Sequence, residues 1–209
     1  MTTRSVDRGS HWDDRYRTIG GEAVSWYEAE PRLSLDLLEL VGAGPERSVI
    51  DVGGGASFLT QALQRRGFGD LAVLDVSSEA LDAARTRVDR PEGVTWVHAD
   101  VLTWSPTRRW AVWHDRAVFH FLTEPDERAA YRDQLRRAVE PGGSVIIATF
   151  AEGGPPTCSG LQVRRYRPDQ LVTELGTGFT ELGQGTMDHL TPKGTIQPFT
   201  WVAARRSST

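Results

Sequence analysis

The chain has 209 residues, 39% of them hydrophobic and 25% charged, with a formal net charge of −4. One domain of that length buries a sizeable core, so collagen-like, low-complexity and disordered chains are excluded. The lone cysteine, Cys158, excludes an internal disulfide framework and a cysteine-based zinc cluster, and the mild acidity argues against nucleic acid as a partner.

Residues 1–10 are polar and read as a tail, without the apolar core of a signal peptide. From His11 to Tyr27 the chain is aromatic-rich and broken at Gly20-Gly21, which predicts two short segments joined by a turn. Pro31 opens a helix in which Leu33, Leu37, Leu38 and Val41 follow helical spacing, ending near Gly42. Strand and helix then alternate. Residues 48–52 form a first strand and 59–66 its helix, 71–75 a second strand and 78–88 its helix, and 94–99 a third strand. Residues 111–114 form a fourth strand followed by a helix over 126–139, and Pro141-Gly142-Gly143 leads into a fifth at 144–150. After a helix at 168–175, strands near 179–182 and 199–203 have no helix between them and should pair antiparallel. The pattern predicts an α/β, Rossmann-like fold whose mostly parallel seven-stranded sheet has helices on both faces and an antiparallel C-terminal edge. No stretch approaches the roughly 18 apolar residues of a membrane span. The expectation is a single cytoplasmic domain over 1–209, with 1–31 a tail and aromatic lid and 32–209 the ligand-binding core.

Asp51-Val52-Gly53-Gly54-Gly55 lies where the first strand becomes a helix, a place where backbone N–H groups approach a ligand closely. A dinucleotide fingerprint needs a third glycine five positions after Gly53, and Phe58 stands there. Asp51 suits an amine better than a pyrophosphate. Asp75 ends the second strand, where an acid commonly holds ribose hydroxyls. Asp100 follows the third strand. One strand-end Asp can equally be a helix cap. Three in register with a glycine turn favour a nucleoside ligand.

These features resemble a class I S-adenosylmethionine (SAM)-dependent methyltransferase. The order of Asp51-x-Gly53-x-Gly55, Asp75-Val76, Asp100-Val101 and Pro141-Gly142-Gly143 matches that family from about residue 48 onward. The opening Trp12-Asp13-Asp14-Arg15-Tyr16 is similar to the WDxxY start of the elongation-factor and citrate-synthase lysine methyltransferases. The resemblance implies SAM as cofactor and S-adenosylhomocysteine (SAH) as product. It places Trp12, Tyr16, Asp51, Gly53, Gly54, Gly55, Asp75, Val76, Asp100, Val101 and Arg116 around them, with Arg116 on the methionine carboxylate. Trp110-Ala111 departs from the family's aromatic–Asp pair, and His114-Asp115-Arg116 from the narrower group's acid–lysine pair, so substrate specificity does not transfer.

Methyl transfer needs alignment of the nucleophile and exclusion of water, and a base only when the nucleophile arrives protonated. His120 is the first base candidate, and the alternative role for a histidine at this turn is a hydrogen bond to the backbone. His114 and Asp115 leave their strand on opposite faces, so at most one of the two reaches the pocket. Cys158 reads as a thiol relay or pocket lining, and His189 as part of the loop between the last two strands. The histidines and acids have no metal-ligand spacing, so no metal is expected. Three functions stay open: a methyltransferase acting on a small-molecule acceptor, a protein-lysine methyltransferase, and a SAM-binding protein without catalysis.

Overall fold

The computed structural model describes residues 7–19 and 24–208. The Gly20-Gly21 break expected from the sequence lies outside the described residues. In chain order the elements are α1 (Arg8–Ile19), α2 (Arg32–Leu40), β1 (Val49–Val52), α3 (Leu59–Arg65), β2 (Leu71–Asp75), α4 (Ser78–Arg87), β3 (Val94–His98) and β4 (Trp110–Arg116). They continue with α5 (Pro125–Ala138), β5 (Val139–Phe150), a small hairpin of β6 (Thr157–Cys158) and β7 (Leu161–Gln162), α6 (Pro168–Leu175), β8 (Phe179–Leu190) and β9 (Ile196–Arg206).

Seven strands form one sheet in the order β3-β2-β1-β4-β5-β9-β8. The first five are parallel, and β9 and β8 add an antiparallel edge. This is the Rossmann-like methyltransferase arrangement that the sequence predicts. Side chains alternate across the pleat, so neighbours such as Val49 and Ile50, or Ile146 and Ile147, enter different cores on the two faces. One core packs α2, α3 and α4 against the sheet, and the other packs α5 and α6.

Local chemistry sets the boundaries. Helix α2 buries Leu33, Ser34, Leu37 and Leu38 on one stripe. It stops where Gly42 turns to φ 71°, with Ala43 N–H donating to Leu38 O and Gly42 N–H to Glu39 O. That pair of bonds satisfies carbonyls the helix leaves open. Pro141-Gly142-Gly143 does not precede β5 but lies inside it. The β4–β5 register shifts there, Trp110 facing Val139 and Val112 facing Ser144, and Gly142 takes φ 75°. The last two strands run well beyond their expected ends, and His189 accordingly sits in β8 and not in the following loop.

Asp115 is fully buried on the α5 side of β4. Its carboxylate accepts from Tyr131 Oη at 2.5 Å and from the backbone N–H groups of Val118 at 2.9 Å and Phe119 at 3.2 Å. Tyr131 in turn accepts from Trp113 Nε1 at 2.8 Å. Burial pushes the Asp115 carboxyl up to about 6 despite these donors. The network ties helix α5 to the turn that follows β4. Tyr131→Phe leaves the Trp113 indole N–H without an acceptor and Asp115 Oδ2 with the Phe119 N–H alone. It should therefore cost about 1–3 kcal/mol in urea denaturation, and a loss below about 0.5 kcal/mol would contradict this account of the turn.

Candidate active site

β1 pairs with β2 on one side and β4 on the other, so the chain leaves β1 in one direction and later returns to its opposite flank. The crevice at the carboxyl ends of such strands is where open α/β sheets bind ligands. A cleft of about 1150 Å³, counting its open mouth, lies there.

The floor is the turn after β1. Gly53 has φ 69°, a left-handed conformation that favours glycine, and a Cβ on it would run into Val118. A Cβ on Gly55 would stand 2.8 Å from Asp75 Oδ2, the oxygen that accepts Gly55 N–H at 3.0 Å. The other Asp75 oxygen accepts from Ser77 N–H at 2.9 Å. Asp75 thus bridges the glycine turn and the start of α4. Its burial pushes the carboxyl up to about 6, above the ordinary carboxylate value, against those two backbone donors.

Asp51 and His114 face each other across β1 and β4, in register. His114 Nδ1 meets Asp51 Oδ1 at 2.7 Å, and Nε2 meets Ser34 Oγ of α2 at 2.9 Å. With Asp51 as acceptor, Nδ1 carries the hydrogen, and Nε2 shares a hydrogen bond with the serine hydroxyl. Ser57 Oγ donates to the other Asp51 oxygen at 3.3 Å.

Asp100 and Val101 also line the cleft. Asp100 Oδ1 accepts from Leu102 N–H at 2.9 Å, and Oδ2 pairs with Arg8 of α1 at 3.2 Å. Helix α1 lies over the mouth. Asp13 accepts from Ser77 Oγ at 2.7 Å and from Glu79 N–H at 3.2 Å, fixing α1 to the N-terminus of α4. Trp12 meets Tyr16, Trp26 and Phe121 ring to ring, which builds an aromatic wall on the cleft.

Arg116 lines the same cleft but is engaged. Its Nη2 pairs with Glu28 Oε1 at 3.0 Å, and Nη1 donates to Trp26 O at 3.3 Å, while the buried Nε has no hydrogen-bond partner. Burial holds the guanidinium below its ordinary value.

Of the residues expected from sequence, Trp12, Tyr16, Asp51, Gly53, Gly54, Asp75, Val76, Asp100, Val101, His114 and Arg116 line the cleft. Gly55 stands beside it, donating to Asp75. His120 and Asp115 are not among the lining residues. His120 is fully buried, its Nδ1 accepts Phe150 N–H at 3.3 Å, and burial pushes its imidazole down to about 3. It holds the backbone of β5, the alternative role for a histidine at that turn. Asp115 faces the α5 core for the reason given above. Cys158 lines the cleft with its thiol pushed up to about 11 by burial, a neutral side chain near pH 7. Arg8, Glu28, Ser34 and Phe121 were not singled out from sequence. Ser34 alone carries a signal, a polar residue on the apolar stripe of α2.

A family described as "Methyltransferase domain" matches residues 49–143. Nodulation protein S of Rhizobium tropici is 28% identical over 141 residues, 66% of this chain and 55% of that protein, so the match spans about half the length of the relative. Among solved structures, one from work on conversion of a disulfide bond into a thioacetal group in echinomycin biosynthesis superposes with a TM-score of 0.77. It is 21% identical and covers 96% of this chain and 93% of that one. The N-methyltransferase NodS of Bradyrhizobium japonicum, solved with SAH, has a TM-score of 0.70 at 18% identity over 93% and 99% of the two chains. Among the described residues no helix is long and apolar enough to cross a membrane. Sheet order and glycine turn agree with the family match, which covers residues 49–143, and the solved structures share the fold.

Proposed function

We propose that the protein is a SAM-dependent methyltransferase acting on a small-molecule acceptor. The observation that carries this reading is the gathering of Asp51, Gly53, Gly54, Asp75 and Asp100 around one crevice at the sheet's switch point. The residues fit SAM. The glycine turn is a cradle that a Cβ at Gly53 would block, and each Asp75 oxygen keeps a lone pair for a ribose hydroxyl. Asp51 faces the methionine amine. The unpartnered Arg116 Nε–H is the donor left for the methionine carboxylate. Asp100 and Val101 take the adenine.

SAM supplies a methyl group on a sulfonium, a leaving group already activated. The chain's residues align the acceptor and exclude water. Helix α1 is the cap, and Trp12 and Tyr16 give it an aromatic surface suited to a sulfonium. A neighbouring structure, a 1,6-didemethyltoxoflavin-N1-methyltransferase with bound 1,6-didemethyltoxoflavin and SAH, supports a small acceptor. The WDxxY-like opening favours a protein-lysine acceptor as the second reading. Incubation with methyl-labelled SAM and cell extract separates them. Label is expected in the small-molecule fraction, and label confined to protein would contradict the first reading.

The carboxyl of Asp75 makes the cofactor assignment pH-dependent. A fold that raises a carboxyl to about 6 loses stability as pH rises from about 4 through 6, because ionisation is disfavoured in the folded state. A ribose donating two hydroxyl hydrogens favours the ionised form instead. SAH affinity should therefore fall as pH drops below about 6, approaching tenfold per unit, and Asp75→Asn should flatten that dependence. Calorimetric titrations between pH 5 and about 8 read both. An unchanged slope in Asp75→Asn would remove Asp75 from the ribose site.

A further inference from the structure

Glu28 lies in the segment between α1 and α2 and lines the cleft. Its two oxygens are treated very differently. Oε1 receives both Arg116 Nη2 at 3.0 Å and His189 Nδ1 at 2.8 Å. Oε2 is buried and has no hydrogen-bond partner.

The groups on Oε1 are themselves fixed. His189, 2% exposed, donates Nε2–H to Ser25 O at 2.7 Å. Both of its ring nitrogens therefore face oxygen atoms, one of the Glu28 carboxyl and one of the Ser25 backbone. The Arg116 guanidinium sits over the Phe199 ring at 5.0 Å. Two strands, β4 and β8, thus hold one carboxylate oxygen rigidly, and the other is left as an oriented acceptor. A buried carboxylate oxygen without a donor is unfavourable until a ligand supplies one.

The charge around it selects the donor. Glu28, Asp51, Asp75 and Asp100 line the cleft against Arg8 and Arg116. Trp12 and Trp26 present ring faces and edges to the same space. A negative, aromatic-walled pocket favours a cation.

We propose that Glu28 Oε2 binds the methyl acceptor, and that the acceptor is an amine entering as its ammonium. This rests on the methyltransferase reading above. The ammonium N–H donates to Oε2. In the proton step the N–H bond breaks, an O–H bond forms at Oε2, and the electron pair stays on nitrogen as the lone pair that attack requires. His189 and Arg116 are positioning residues that hold Glu28 by its other oxygen. An amine acceptor also explains why no histidine on the cleft is left free, since His114 spends both ring nitrogens on Asp51 and Ser34.

The test uses the whole protein loaded with SAH and three probes: benzylammonium, benzyl alcohol and benzoate. Binding is followed by tryptophan fluorescence. Benzylammonium should bind at least about tenfold more tightly than benzyl alcohol, with benzoate weakest. With SAH held at saturation, Glu28→Gln should bring the two within about twofold. Equal binding of benzylammonium and benzyl alcohol by the unaltered protein overturns the proposal whether or not the variant folds. So does a preference that survives Glu28→Gln. Failure of the unaltered protein to bind SAH at all would instead strike the methyltransferase reading.

Discussion

The buried Asp51–His114 bond is the contact on which the site depends. It joins the carboxyl ends of β1 and β4, the two strands between which the chain reverses its direction of growth, at 2.7 Å. It also reaches α2 through Ser34, so the helix that precedes the sheet is tied to its centre. Removing one member of such a buried pair leaves the other without compensation, which is far costlier than replacing both. The glycine turn starts two residues after Asp51, and a Cβ on Gly54 would fall on the Asp51 carboxylate. The same aspartate therefore fixes the strand crossing and requires the glycine that opens the floor of the cleft.

From that point the cleft is built outward in two directions. Asp75 pins the glycine turn to α4, and Asp13 pins α1 to the same helix start through Ser77 and Glu79. The glycine turn and α1 thus share one anchor, the N-terminus of α4. On the opposite wall, Arg116 and His189 fix Glu28, bringing together β4, β8 and the segment before α2. Asp115, one residue from His114 on β4, points the other way and stabilises the turn that carries Val118 and His120. Adjacent strand residues with opposite duties follow directly from the period-two pleat.

The sheet order and the gathering of Asp51, Asp75 and Asp100 on one crevice were legible because they rest on local rules. Short apolar runs ending in glycine or aspartate mark strand ends, and the three acids fall one per strand. The C-terminal edge was less legible. β8 contains Gly183, Gly185 and polar residues that do not read as a strand, and it extends to Leu190 only because β9 pairs with it residue by residue. Trp201 of β9 packs against Gly183 and Gly185, filling the space that side chains there would take. The Glu28 cluster was hidden for a different reason. Glu28 stands in an irregular segment with no periodicity, and its partner His189 is 161 positions away. Nothing near either residue in sequence announces the other. His120 shows the converse, a residue whose chemistry suits catalysis but whose burial commits it to the Phe150 backbone.

On the proposed reading the crevice between β1 and β4 holds a sulfonium nucleoside and not a dinucleotide, with Phe58 standing where a dinucleotide turn needs glycine. Isothermal titration of the protein with SAM, SAH and NAD measures this directly. The structure predicts binding of SAM and SAH with dissociation constants on the order of micromolar, roughly −8 kcal/mol, and no heat from NAD. Binding of NAD without binding of SAH would contradict it.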